Sequence, residues 1–175
     1  MPLKTIFLDR DGVINKDVNY LYKIDEFIFI DGVIKTCQLL NNLGYRIIII
    51  TNQSGIGRGY FTENDFQILT QWMLKQFQQN NIQILDLFHC PHSPKQECYC
   101  RKPKPGMFNK AKAKYNIDME KSWMIGDSER DIEAAKSAGI NNTILVRSGQ
   151  KIDESKSNAK FFIESIHDSI NIIDN

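Results

Sequence analysis

The sequence predicts an α/β domain with a Rossmann-like parallel sheet flanked by helices. Three observations lead there. Short apolar runs alternate with longer segments of helical periodicity. One run, Arg46-Ile47-Ile48-Ile49-Ile50, is apolar without alternation, as a strand covered on both faces requires. Acidic, hydroxyl and glycine residues gather where the runs end, and in such sheets ligands bind beyond the carboxyl ends of the strands. A length of 175 residues suits one domain, 1–175, with a core of its own.

The first strand is Thr5-Ile6-Phe7-Leu8. A helix over Gly32–Leu43 follows, with Val33, Cys37, Leu40 and Leu43 near helical spacing and Gly44 as its stop. After the isoleucine strand, Thr62 caps a helix over Glu63–Gln79 whose apolar stripe is Phe66, Leu69, Met73 and Phe77. A third strand falls near Ile84–Phe88. His89 to Pro105 is irregular and holds three cysteines, two histidines and four prolines. The remainder reads as helix Gly106–Tyr115, strand Ser122–Ile125, helix Ser128–Ala138 ended by Gly139, and strand Thr143–Val146. Beyond Arg147 a polar tail offers the pair Phe161-Phe162 and a last helix near Ser165–Ile173.

Composition excludes several classes. Lysine plus arginine is 22 against 21 acids, a net charge of +1, which gives no reason to expect a nucleic-acid or membrane partner. Apolar residues at 42% and charged residues at 25% are those of a globular protein, not a disordered one. The longest strongly apolar run, Ile47–Ile50, is too short to span a membrane, and Met1-Pro2-Leu3-Lys4 does not open a signal peptide. Four cysteines in such a chain suit thiols or metal ligands better than disulfides, so the expected place is the cytoplasm. A monomer acting on a small molecule is the expected state.

Asp9-Arg10-Asp11-Gly12-Val13 leaves the first strand with two acids two residues apart. Paired carboxylates call for a cation, and hard oxygen ligands suit magnesium, although Asp and Gly also make ordinary solvated turns. Thr51-Asn52-Gln53-Ser54-Gly55 leaves the second strand with a hydroxyl, amides and free N–H groups that suit a phosphate or, equally, a plain polar loop. Arg101-Lys102-Pro103-Lys104-Pro105-Gly106 is a stiff basic hook or an exposed basic loop. Asp127 and Asp131, one helical turn apart in Gly126-Asp127-Ser128-Glu129-Arg130-Asp131, lean to one spot or form an acidic helix start. In combination, Asp-x-Asp, then Thr, Lys and Gly-Asp-x-x-x-Asp resemble the haloacid dehalogenase (HAD) superfamily of phosphohydrolases over residues 6–146.

Cys90, His92, Cys98 and Cys100 place four zinc-type ligands within eleven residues, in a loop of about 89–102. Three thiolates and an imidazole match a closed structural zinc site, against the plainer reading of unrelated thiols. Cys37 lies on a helix's apolar face and reads as core, His89 points away if the strand reaches it, and His167 reads as surface. A nucleic-acid zinc finger is disfavoured by the near-neutral charge and the lack of a recognition helix.

With this loop, the runs Phe7 to Asn15 and Thr51 to Gly59 resemble the D-glycero-D-manno-heptose 1,7-bisphosphate 7-phosphatases of the histidinol-phosphatase branch. The resemblance implies a cytosolic, magnesium-dependent and zinc-containing enzyme of bacterial heptose nucleotide synthesis, for lipopolysaccharide or surface glycans. It implies Asp9 as nucleophile forming an aspartyl-phosphate, and magnesium on Asp9, the Asp11 carbonyl and Asp127. Asp11 is then the general acid and base, and Thr51 and Lys102 bind the phosphoryl oxygens. Arg101 contacts the rest of the sugar bisphosphate, and Asp131 supports Lys102. Asp17, Val18, Asn19 and Tyr20 form a substrate-facing flap, with Asn52, Gln53 and Ser54 lining the pocket. About twenty residues between the first motif and the next helix leave room for a minimal cap. The spacer Ser93–Glu97 is shorter than in many members, which bears on the rim of the pocket. The rival enzyme is a histidinol-phosphate phosphatase. The rival from another class is a phospho-accepting signalling domain, whose acceptor aspartate would follow the third strand.

Overall fold

The computed structural model describes residues 1–174. Its six strands are β1 (Thr5–Leu8), β2 (Arg46–Asn52), β3 (Ile84–Cys90), β4 (Trp123–Gly126), β5 (Asn142–Val146) and β6 (Phe161–Ile163). They form one parallel sheet in the order β3-β2-β1-β4-β5-β6. The helices are α1 (Val33–Asn42), α2 (Ser54–Gly57), α3 (Glu63–Gln79), α4 (Gly106–Tyr115), α5 (Glu129–Ser137) and α6 (Ile170–Ile173).

The alternation of strand side chains explains the unbroken isoleucines. Ile6, Leu8, Ile47 and Ile49 pack with Val33, Leu40, Leu69, Met73 and Phe77 of α1 and α3. Phe7, Ile48 and Ile50 face the other way, onto Met107, Phe108, Ala111, Ala134 and Ala135 of α4 and α5. Both faces of β1 and β2 are therefore core. Cys37 is buried in the first of these layers, and burial pushes its thiol up to about 12.

Several boundaries differ from the expectation, each for a physical reason. β2 continues through Thr51 and Asn52 because β3 runs on beside it to His89 and Cys90. Phe161-Phe162 is part of a sixth strand, paired with β5, with Phe161 stacked 5.9 Å from Trp123. Ser54–Gly57 is a short helix rather than open loop. The final helix expected over Ser165–Ile173 is a 3-10 turn, Ile166–Ser169, leading into one α turn. The segment before α1 is a strap, not a domain: Asn15 bridges to Asp11 and to Phe29, and Phe27 and Phe29 pack against Trp72 and Phe77 of α3.

Strand order reverses between β1 and β4, which opens a crevice at their carboxyl ends. The Asp9 N–H donates to the Ile125 carbonyl at 3.0 Å, so the two strand ends are tied together there. Gly12 makes the turn beneath. It has φ +85°, and a Cβ on it would meet the Asp127 carboxylate and the Gly149 backbone. Gly12→Ala should therefore cost at least about 1–2 kcal/mol from backbone conformation alone. A urea titration should show a lower midpoint at unchanged slope, and a wild-type midpoint would refute the packing described.

Candidate active site

The floor of the crevice is built around one lysine. Lys102 is 2% exposed, and its Nζ donates to Asp9 Oδ1 at 2.9 Å and to the Ile50 carbonyl at 2.8 Å and forms an ion pair with Asp131 Oδ1 at 2.6 Å. Two hydrogen bonds and one ion pair thus surround the ammonium, so contact with a phosphoryl oxygen displaces it from one of these partners. Asp131 is equally committed: its Oδ2 accepts from the N–H groups of Asp127 and Ser128 and from Ser128 Oγ. Asp9 Oδ1 also accepts from the Arg10 N–H at 2.8 Å, leaving its other oxygen for the cleft. Asp127 Oδ2 accepts from the Gln150 N–H at 3.0 Å.

Ligand oxygens of Asp9, Asp127 and Asp131 lie within 4.8 Å of one another. Burial, more than anything else, pushes the Asp9 carboxyl up to about 7, with Asp131 and Asp11 adding to it against the pull of Lys102. Burial and then the charges of Asp9 and Asp131 push Asp127 up to about 8. Burial alone would lower the Lys102 pKa, but Asp131 and Asp9 outweigh it and hold the ammonium charged. One lysine does not compensate three buried carboxylates. With Asp131 spent on Lys102 and the backbone, Asp9 and Asp127 present oxygens that suit a hard divalent cation.

Asp11 stands beside them with both oxygens occupied. Oδ1 accepts from Arg10 Nε and Nη2 and from Asn15 Nδ2; Oδ2 accepts from Arg10 Nη2 and Gln53 Nε2. The Gln53 amide also donates to Thr51 Oγ1 at 2.8 Å. Thr51 is 1% exposed and sits beneath the cleft rather than on its wall.

The cleft above this floor is about 290 Å³. Asp17, Asn19, Tyr20, Asn52, Gln53 and Ser54 line it, whereas Val18 is exposed outside the wall. Asn19 and Tyr20 hold left-handed backbone angles, φ 56° and 55°, steadied by the Asn19 N–H on Asp17 Oδ1. The Asn52 side chain accepts from the Lys102 N–H and donates to the Lys102 carbonyl, so it clasps the basic hook. Arg101 lies on the wall as expected, and Arg58 and Arg130 join it. None of the three has a carboxylate partner among the described residues. Burial, then Arg130, lowers the pKa of Arg101, with Arg58 acting in the same direction. Arg58 and Arg130 carried no signal in the sequence, because Arg58 just follows α2 and Arg130 lies in the first turn of α5, and their facing is invisible without tertiary contacts. Gln150 was missed as well, since it comes from the tail.

Cys90, His92, Cys98 and Cys100 come together. The Cys90 and Cys98 sulfurs are 3.7 Å apart, and His92 Nδ1 lies 3.4 Å from Cys90 Sγ and 3.3 Å from Cys100 Sγ. A tetrahedron with zinc–sulfur bonds of about 2.3 Å has edges of roughly 3.8 Å, so the cluster fits that ion. Without a cation, burial and the neighbouring Cys100 push the Cys90 thiol up to about 12. His89 stays outside: it meets Glu63 at 2.9 Å and packs on Phe66. His167 is exposed beside Asp168. The loop also rests on α2, where the Gly57 N–H donates to the Pro91 carbonyl at 2.8 Å.

Residues 99–170 match a family model described as HAD-hydrolase-like. The D-glycero-alpha-D-manno-heptose-1,7-bisphosphate 7-phosphatase of Photorhabdus laumondii is 47% identical over 164 residues, 90% of each chain. The corresponding beta-named phosphatase of Pasteurella multocida is 45% identical over 172 residues, 94% of each chain. A D,D-heptose 1,7-bisphosphate phosphatase from B. bronchiseptica, solved with magnesium and phosphate, superposes with a TM-score of 0.85 at 30% identity, covering 98% of both chains.

The raised carboxyls have a consequence for stability. An acid whose folded pKa exceeds its unfolded value keeps extra protons in the folded state, so stability falls as pH rises through that window. For Asp127 the window runs from 3.8 to about 8. In buffer without divalent cation, Asp127→Asn should melt higher than wild type at pH 8, by about 5 °C for about 2 kcal/mol, and match it near pH 4. A lower melting temperature at pH 8 would show that the carboxylate is compensated.

Proposed function

The chain belongs to the heptose 1,7-bisphosphate 7-phosphatase family of HAD-like hydrolases, and from that premise we propose that it removes the 7-phosphate of D-glycero-D-manno-heptose 1,7-bisphosphate. The observation that carries this reading is the meeting of a carboxylate floor with three arginines on the wall of the same cleft that have no carboxylate partner among the described residues. One phosphate belongs on the floor; the arginines suit a second. Histidinol phosphate would bring an ammonium to that rim, which Arg58, Arg101 and Arg130 would repel.

In this reading Asp9, the Asp11 carbonyl and Asp127 would hold magnesium, which supplies charge neutralisation for the carboxylates and the phosphoryl group. Asp9 attacks phosphorus with the oxygen left free of Lys102 and forms an aspartyl-phosphate. Asp11 protonates the departing sugar oxygen and then takes a proton from the hydrolytic water. Lys102 exchanges its Asp9 bond for a phosphoryl oxygen, while Asp131 and the Ile50 carbonyl keep it in place. Thr51 donates its hydroxyl from below. Asp17, Asn19, Tyr20 and Ser54 face the sugar, and Asn52 and Gln53 act on Lys102 and Asp11 from the wall.

Cys90, His92, Cys98 and Cys100 would hold zinc, whose contribution when bound is to stiffen the loop that presents Arg101 and Lys102. Three gathered thiols suit a reducing compartment, which supports a cytoplasmic place. All residues of the site come from one chain, so a monomer suffices. No helix among the described residues is long and apolar enough to cross a membrane.

A phosphate-release assay over both anomers of the heptose 1,7-bisphosphate and histidinol phosphate tests the substrate. The bisphosphate should lead in kcat/KM, Arg101→Ala should narrow the gap about tenfold or more, and Asp9→Asn should abolish turnover. Equal kcat/KM for the two substrate classes would overturn the substrate assignment, and turnover by Asp9→Asn would overturn the mechanism.

Protein purified without chelator should carry about one zinc per chain, and Cys98→Ser should lose it together with most activity. Elemental analysis without zinc would end that assignment.

A further inference from the structure

Arg10 separates the two acids of the first motif, and nothing in the mechanism above uses its side chain. It is 1% exposed and is among the largest fully buried side chains of the protein. Taking a guanidinium out of water costs several kcal/mol, and an apolar chain of similar length would pack against Phe66 at lower cost. What Arg10 does with its donors is specific. Nη2 reaches Asp11 Oδ1 at 2.9 Å and Oδ2 at 3.0 Å, and Nε reaches Oδ1 at 3.2 Å. Nη2 also donates to the Leu21 carbonyl at 3.1 Å, at the base of the flap that carries Asp17, Asn19 and Tyr20. The Arg10 backbone N–H meanwhile holds Asp9 Oδ1. One residue thus orients the attacking carboxylate through its backbone, and the neighbouring carboxylate and the flap through its side chain.

We propose that Arg10 is a positioning residue for leaving-group protonation: its fork fixes the plane of the Asp11 carboxyl and ties that plane to the flap. The proposal rests on the acid and base role given to Asp11 above. In the step concerned, Asp9 forms a bond to phosphorus while the bond from phosphorus to the sugar oxygen breaks. The electron pair stays on that oxygen, and the proton of the Asp11 carboxyl joins it to give the alcohol. A two-point fork sets the angle of that proton donor, whereas a lysine would fix only a distance. The flap lies over the substrate, so tying Asp11 to Leu21 sets the donor against the bound sugar rather than against the empty sheet end.

Leaving groups separate this role from a scaffold role. A sugar alkoxide needs its proton as the bond breaks; p-nitrophenolate does not. Arg10→Lys keeps the buried charge and loses the fork, and Arg10→Gln loses both. In the first turnover, read before the aspartyl-phosphate is hydrolysed, each variant should lose about 10²-fold in rate on the sugar bisphosphate. In the first turnover on p-nitrophenyl phosphate each should release p-nitrophenolate at a rate close to wild type. Equal first-turnover losses on both substrates, or no loss on either, overturn the proposal, as does failure of both variants to fold. Asp11→Asn is the control. If its first turnover does not discriminate between the two substrates, the role of Asp11 itself is wrong. If it does and Arg10→Lys does not, only the role of Arg10 falls.

Discussion

Three carboxylates can be buried at one end of a parallel sheet only because the Lys102 ammonium enters among them. Its ammonium holds Asp9 and Asp131 and is itself held by the Ile50 carbonyl, the last but two of the β2 residues. Remove it in thought, and Asp9, Asp127 and Asp131 repel one another with only backbone amides and the Ser128 hydroxyl to hold them. Much of the rest follows from bringing that one side chain so deep. The basic hook must turn inward, so Asn52 clasps Lys102 on both sides of its peptide unit. The hook must also start from a fixed place, and the residues before it are the cysteine and histidine cluster, anchored by Cys90 on the end of β3.

The sheet supplies the other half of the arrangement. Asp9 follows β1 and Asp127 follows β4, and these paired neighbours end at the point where strand order reverses. Gly12 and Gly149 let backbone approach the Asp127 carboxylate where any Cβ would collide. Close approach brings carboxylates together, burial raises their pKa values, and the unmet charge makes the site receptive to a hard cation. Stability has been given up locally for binding, which is the usual condition of a functional site.

Most of this was legible in the sequence, for reasons that differ by residue. The strands announced themselves because β1 and β2 are buried on both faces. Asp9, Asp11, Asp127 and Lys102 were found because they sit at strand ends or in a proline-stiffened hook beside the metal-type cluster. What was hidden depends on contacts distant in sequence. β6 is three residues long and exists only because β5 offers it an edge. Val18 carries no signal of which way a flap residue faces. Asn52 and Gln53 read as pocket lining, but their amides are spent on Lys102 and on Asp11 and Thr51. Arg10 carried no signal of its own, since an arginine between aspartates looks solvated until its burial is known.

That last residue points to a way of separating scaffold from site. Charged and polar groups that the protein pairs internally describe how the site is held: Asp131 with Lys102 and Ser128, Asn52 with the hook, Arg10 with Asp11 and Leu21. Groups left unmatched describe what the site is for. Asp9 and Asp127 have oxygens left without a cation, and Arg58, Arg101 and Arg130 have charges that no carboxylate among the described residues answers. The unmatched negative groups lie at the floor and the unmatched positive groups at the rim of the same cleft. A cation can meet the first, but only an anion can meet the second. With a divalent cation on the floor, a ligand that meets both that cation and the arginines carries negative charge at two places. Given that cation, the arrangement of unpaired charge suits a bisphosphate better than a monophosphate.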